Sequence, residues 1–188
     1  MMEFLFDKCC HSPAGKLEQG WHDGISSLSG QFYISEDAWY DCNVKGHYIN
    51  KVVGFTLDTR ITINSSGWWN HRNSIRLGWK PASTQGYADT FLYLHFNGRP
   101  FLPTPQRQLF VNTVKLGVAN EFLLMANGLG VSKYPFAAVN GVQSSQSVMI
   151  ANSIIFPAPK AGLVLAPYHG GDPKPYNPYI IGLQLNDY

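Results

Sequence analysis

Ser74-Ile75-Arg76-Leu77-Gly78-Trp79-Lys80 alternates strictly between two kinds of side chain. On an extended strand successive side chains leave on opposite faces. Ile75, Leu77 and Trp79 therefore share one face, and Ser74, Arg76, Gly78 and Lys80 share the other. A polar turn follows, Pro81-Ala82-Ser83-Thr84-Gln85-Gly86, and then Asp89-Thr90-Phe91-Leu92-Tyr93-Leu94-His95-Phe96 repeats the pattern. Here Leu92, Leu94 and Phe96 lie on one side, with Phe91, Tyr93 and His95 on the other. Asn97-Gly98 closes the segment, and this pair is a strong hairpin signal because both central residues of a type I′ turn need positive φ. Asn127-Gly128 predicts a second hairpin, joining 121–126 to 129–134.

The same period-two reading gives further strands at 29–34, 48–57, 60–63, 108–114, 148–156, 163–166 and 179–185. No window of 11 residues keeps a helical period; one turn of helix is expected near 135–139. About ten short strands separated by turns predict an all-β chain, an antiparallel two-sheet β-sandwich of jelly-roll or concanavalin-like type. A second sheet supplies the surface against which each alternating strand buries its apolar side. No domain boundary or repeat is visible, so residues 1–188 read as one sandwich domain whose first ~25 residues form a peripheral arm.

Composition agrees. The 188 residues are 45% hydrophobic and 14% aromatic but only 14% charged, which excludes a disordered chain and a long helical bundle. A net charge of +2, from singly scattered Lys and Arg, is no footprint for nucleic acid. No apolar run reaches the roughly 20 residues that cross a bilayer, and no secretory leader is visible. The expected location is the cytoplasm, with an extracellular or virion-associated place as the alternative. Cys9, Cys10 and Cys42 make a poor disulfide framework, and with His11 and His47 they match no zinc module. No metal or other cofactor is expected. Asn64-Ser65-Ser66 reads as an accidental glycosylation acceptor.

Standard catalytic motifs are missing, including GxSxG, HExxH, the phosphate-binding glycine loop and GxGxxG. The one close acidic pair, Glu36-Asp37, diverges on an extended backbone and cannot flank a glycosidic bond. More informative is the outer side of the two alternating strands. If they pair, one surface carries Arg76, Lys80, Tyr93 and His95, joined by Gln184 from the last strand. Rings stack on sugar faces while guanidinium, imidazole and amide groups direct hydrogen bonds to hydroxyls. The loop Gly67-Trp68-Trp69-Asn70-His71-Arg72 adds two indoles. The same set could instead abstract a proton, with His95 or Tyr93 as base and Arg76 neutralising a carboxylate. In the plainest alternative the face packs beneath a loop or partner, and His95 is structural. The loop 167–176, with Gly170-Gly171 and Asp172, reads as a structural turn.

Three segments carry a resemblance. Asn73-Ser74-Ile75-Arg76-Leu77-Gly78-Trp79, then Phe91-Leu92-Tyr93-Leu94-His95-Phe96-Asn97-Gly98, then Pro167-Tyr168-His169-Gly170-Gly171-Asp172 resemble a group of uncharacterised bacterial and phage-associated β-sandwich proteins. The chain departs from that group at His169, where an aromatic is usual, and at Tyr176-Asn177, where a Pro-His-like pair is expected. The resemblance covers about residues 70–188 and implies a concanavalin-like or jelly-roll sandwich but no activity. The expectation is a non-catalytic module that binds a carbohydrate or similar polar polymer through Arg76, Tyr93, His95, Trp68, Trp69 and Gln184. The alternatives are a polysaccharide lyase-like enzyme and a structural or assembly protein of a phage or mobile element, with a homo-oligomer as its expected state.

Overall fold

The computed structural model describes residues 1–6, 21–23, 27–41, 49–56, 74–96, 99–100, 108–125, 135–144, 161–165, 167–168 and 177–186. They form two antiparallel sheets. The first contains, from edge to edge, β1 (Met2–Phe6), β13 (Tyr179–Leu185), β3 (Ser27–Ile34), β9 (Asn120–Met125), β10 (Phe136–Val139) and β11 (Val142–Gln143). The second runs β2 (Trp21–Asp23), β12 (Ala161–Leu165), β4 (Asn50–Thr56), β5 (Ser74–Pro81) and β6 (Tyr87–Phe96). Its far edge is shared. β8 (Gln108–Lys115) pairs with the first part of β6 and β7 (Arg99–Pro100) with its end. Helical structure among the described residues is one short 3-10 turn, Glu36–Ala38. No helix among them is long and apolar enough to cross a membrane.

The two sheets pack face to face, as a β-sandwich, because each has one apolar side to remove from water. Val53, Phe55, Ile75, Leu77, Trp79, Leu92 and Leu94 come from one sheet. Phe4, Phe6, Leu28, Phe32, Ile34, Phe122, Leu124, Ile181 and Leu183 come from the other, and all belong to one buried cluster. Each large side chain that is fully buried contributes about 1.5–3 kcal/mol. Trp79 meets Tyr179 edge to face at 5.8 Å, and Phe6 stacks on the same tyrosine at 4.9 Å. These three rings join β5 to β1 and β13 across the gap between the sheets.

The decisive hairpin forms as its alternation requires. Arg76 is in register with Tyr93, Leu77 with Leu92 and Gly78 with Phe91. Phe96 pairs with Arg99; the turn expected at Asn97-Gly98, between them, lies outside the described residues. In β8 the register shifts opposite Thr90. The Thr90 hydroxyl fills the gap, donating to the Asn112 carbonyl oxygen at 2.7 Å and accepting from the Asn112 N–H at 3.2 Å. The extra residue lets Leu109 and Val111 on one side of the bulge, and Val114 on the other, all face the core.

Two expectations change. Residues 136–139 are strand rather than helix, because β10 pairs with β9 and buries Phe136, Ala137 and Val139. β3 and β10 hold both edges of β9, and the partner expected for 121–126, at 129–134, lies outside the described residues. Met2–Phe6, expected in a peripheral arm, is an edge strand that buries Phe4 and Phe6. The turn between β10 and β11 is Asn140-Gly141, with φ of 50° and 77°, an Asn-Gly pair the strand reading passed over. The strands expected at 60–63 and 148–156 lie outside the described residues, as do Cys9, Cys10, Cys42 and the Asn64 tripeptide.

Candidate functional site

The outer side of the second sheet is built in rows, because antiparallel register sets residues of neighbouring strands side by side. One row reads Tyr168, Lys51, Gly78, Phe91 and Phe110; the next reads Gly54, Arg76 and Tyr93. Tyr168 extends the edge beyond β12 through two backbone bonds with Lys51, N–H to carbonyl at 2.8 and 2.9 Å. Two glycines shape the centre. A Cβ at Gly54 would strike the Ile75 carbonyl and lie 2.7 Å from Arg76 Cγ, and one at Gly78 would strike the Ile49 side chain. Without those atoms the Arg76 stem lies flat on β4, and Ile49 closes over β5.

The result is a cluster of two cations and two phenol rings. Lys51 Nζ sits 4.7 Å from the centroid of Tyr93 and 5.5 Å from that of Tyr168. Arg76 is only 3% exposed and Lys51 only 7%, so both charges have left bulk water. Burial drives the Lys51 ammonium down to about 7, and the neighbouring Arg76 charge adds to the effect. Burial likewise lowers Arg76 to about 10, against the opposing influence of the Tyr93 and Tyr168 phenols. A lysine titrating near neutrality on a sheet face is the kind of perturbed group that functional sites collect. Further along the same face Lys80 Nζ lies 5.2 Å above the Phe91 ring, and Phe91 meets Phe110 edge to face at 6.0 Å.

Of the residues expected from sequence, Arg76 and Tyr93 are register partners on one face. The His95 backbone pairs with Ser74 two residues further along β6, placing it on the same face; its side chain is outside the described set. Trp68 and Trp69 are also outside it. Gln184 is a correction. It belongs to β13, in register with Gln31, on the outer side of the opposite sheet, because the last strand closes the first sheet rather than the second. Lys51 and Tyr168 were missed. Lys51 precedes an apolar run and Tyr168 opens a loop that reads as a turn, so only strand pairing reveals that they meet. Gly78 and Arg76 are buried although their alternation predicts a solvent-facing side.

A separate cleft of about 390 Å³ opens at the end of the sandwich, lined by Glu36, Asp37, Trp39, Gln85, Tyr87 and Lys115 among others. Trp39 is held there by its Nε1–H, which donates to the Ala82 carbonyl oxygen at 3.2 Å. Tyr87 belongs to the same outer stripe of β6 as Phe91 and Tyr93, so the cleft and the cation cluster are ends of one surface. Among the described residues no three His, Cys, Asp or Glu side chains are grouped to hold a metal ion. A scan of protein-family models finds no match to this chain, and a search of curated proteins finds none either.

Proposed function

We propose that this protein is a non-catalytic binding module for a glycan or similar polar polymer, which lies along the outer face of β4, β5 and β6. The observation that carries the reading is the Lys51, Arg76, Tyr93 and Tyr168 cluster: ring faces for stacking beside directed donors. The β6 stripe from Tyr87 through Phe91 to Tyr93 spans about 20 Å at the usual rise per residue. That length suits several linked sugar units. The test is a glycan-binding screen with the wild-type protein and Tyr93→Ala. Retained affinity in Tyr93→Ala, or no glycan bound at all, would overturn the reading.

One observation favours a polysaccharide lyase as the second reading. Lys51, titrating near 7 beside Arg76, has the proton affinity of a general base. It would take the proton next to a sugar carboxylate, and the glycosidic C–O bond would then break, its oxygen leaving with a proton from water and the cleaved ring keeping a new C=C bond. A product absorbing in the ultraviolet, lost in Lys51→Met, separates this reading from simple binding. The assembly reading draws on the apolar side chains Met1, Met2 and Leu5, each 44–52% exposed on or beside the edge strand β1. It predicts a concentration-dependent oligomer in light scattering.

A further inference from the structure

We propose that the ligand of this face is a uronate-bearing glycan, whose carboxylate is received by the Lys51 ammonium between the Tyr93 and Tyr168 rings. The inference rests on the binding reading above and narrows it to an acidic sugar.

Three observations support it. First, the described groups that face Lys51 are Arg76 from β5, Tyr93 from β6 and Tyr168 beside β4, and among the described residues no carboxylate faces the Lys51 ammonium itself. The described acid on this face, Asp89, is at the far end and accepts from the Thr113 hydroxyl at 2.8 Å. Second, a ring face attracts a cation without cancelling its charge, so none of the described groups around Lys51 compensates its charge in a site that has largely excluded water. A neutral sugar would leave it so, whereas a carboxylate supplies a charge-assisted hydrogen bond. Third, a uronate carries its acid directly on the pyranose ring. One sugar unit can then stack on a tyrosine and reach Nζ together.

The sign of the pH dependence follows. The free site loses the Lys51 proton near pH 7, because burial and Arg76 disfavour the charge. A bound carboxylate favours it, so binding above neutrality must take up a proton.

The probes are an oligogalacturonate and its methyl ester, the same chain without the charge, titrated calorimetrically against the intact protein. At pH 6 the acid is expected to bind at least tenfold more tightly than the ester. Raising the pH to 8 should weaken the acid about tenfold and leave the ester unchanged. Lys51→Met should bind the two probes equally at both pH values, its folding being checked by circular dichroism. Equal binding of acid and ester by the wild-type protein, or an acid affinity unmoved between pH 6 and 8, would overturn the acidic assignment while leaving glycan binding intact. Failure of both probes to bind would overturn the binding reading and this assignment together. The wild-type pH comparison stands even if Lys51→Met does not fold.

Discussion

At Gly54 and Gly78 a single missing atom determines what the face can hold. Alanine at Gly54 would press its methyl on the Ile75 backbone carbonyl, which cannot move without disturbing the β4–β5 ladder. At Gly78 the obstacle is the Cγ2 methyl of the buried Ile49, a side-chain atom that can give way by a shift of χ1 without breaking the ladder. Gly54→Ala should therefore cost about 1–3 kcal/mol in urea unfolding, and Gly78→Ala the lower part of that range. Lys51 gives a second prediction at this scale. Its folded value is about 7 against 10.5 for an ordinary lysine. Between those values the unfolded chain holds a proton that the folded chain has released, so stability rises with pH across that window. From pH 7 to 9 the gain from this group is about 2 kcal/mol, read as the difference in pH dependence between wild type and Lys51→Met.

Strand by strand, small polar devices hold the sheets in register. Thr90 satisfies both backbone groups at the β8 bulge, so Thr90→Val should lower stability by about 1–3 kcal/mol in thermal unfolding, with a loss of amide protection at Asn112. Across the bulge end, the Asn112 side-chain amide donates to the Val139 carbonyl oxygen at 3.2 Å, tying β8 to the other sheet. The edge strand β1 is fastened differently. Glu3, Gly182 and Tyr33 are side by side on β1, β13 and β3. The Tyr33 ring crosses the space a Gly182 side chain would fill, and its hydroxyl donates to the Glu3 carboxylate at 2.7 Å. That bond raises the Tyr33 phenol above its usual value. Gly182→Ala would push the ring off this path and loosen β1. Hydrogen exchange should then speed up over residues 2–6 before it does in β5 or β6.

For the whole molecule, one layer of rings joins the two sheets. Trp79 is fully buried, and it meets Tyr179, on which Phe6 stacks. Trp79→Ala should cost about 3–5 kcal/mol and lower the melting temperature by roughly 10 °C in calorimetry. Phe6→Ala should share part of that loss, because the double variant removes two members of one stack and the effects will not add.

Period-two alternation was enough to read the all-β class, the pairing faces of 74–80 and 89–96 and the span of the final strand. Inward and outward residues differ in kind along those segments, and a strand separates them by geometry alone. The hairpin expected at Asn97-Gly98 lies outside the described residues, whereas Asn140-Gly141 shows the positive φ that such a turn takes. Long-range pairing was not legible. Strand order put Gln184 on the opposite sheet, gave β9 the partner β10, and drew Lys51 and Tyr168 beside Arg76 and Tyr93. Such neighbours are set by where distant segments find edge hydrogen bonds and apolar cover, which no local pattern encodes. The burial of Arg76 belongs to the same category: alternation places it outward, and only the closed tertiary face removes its charge from water.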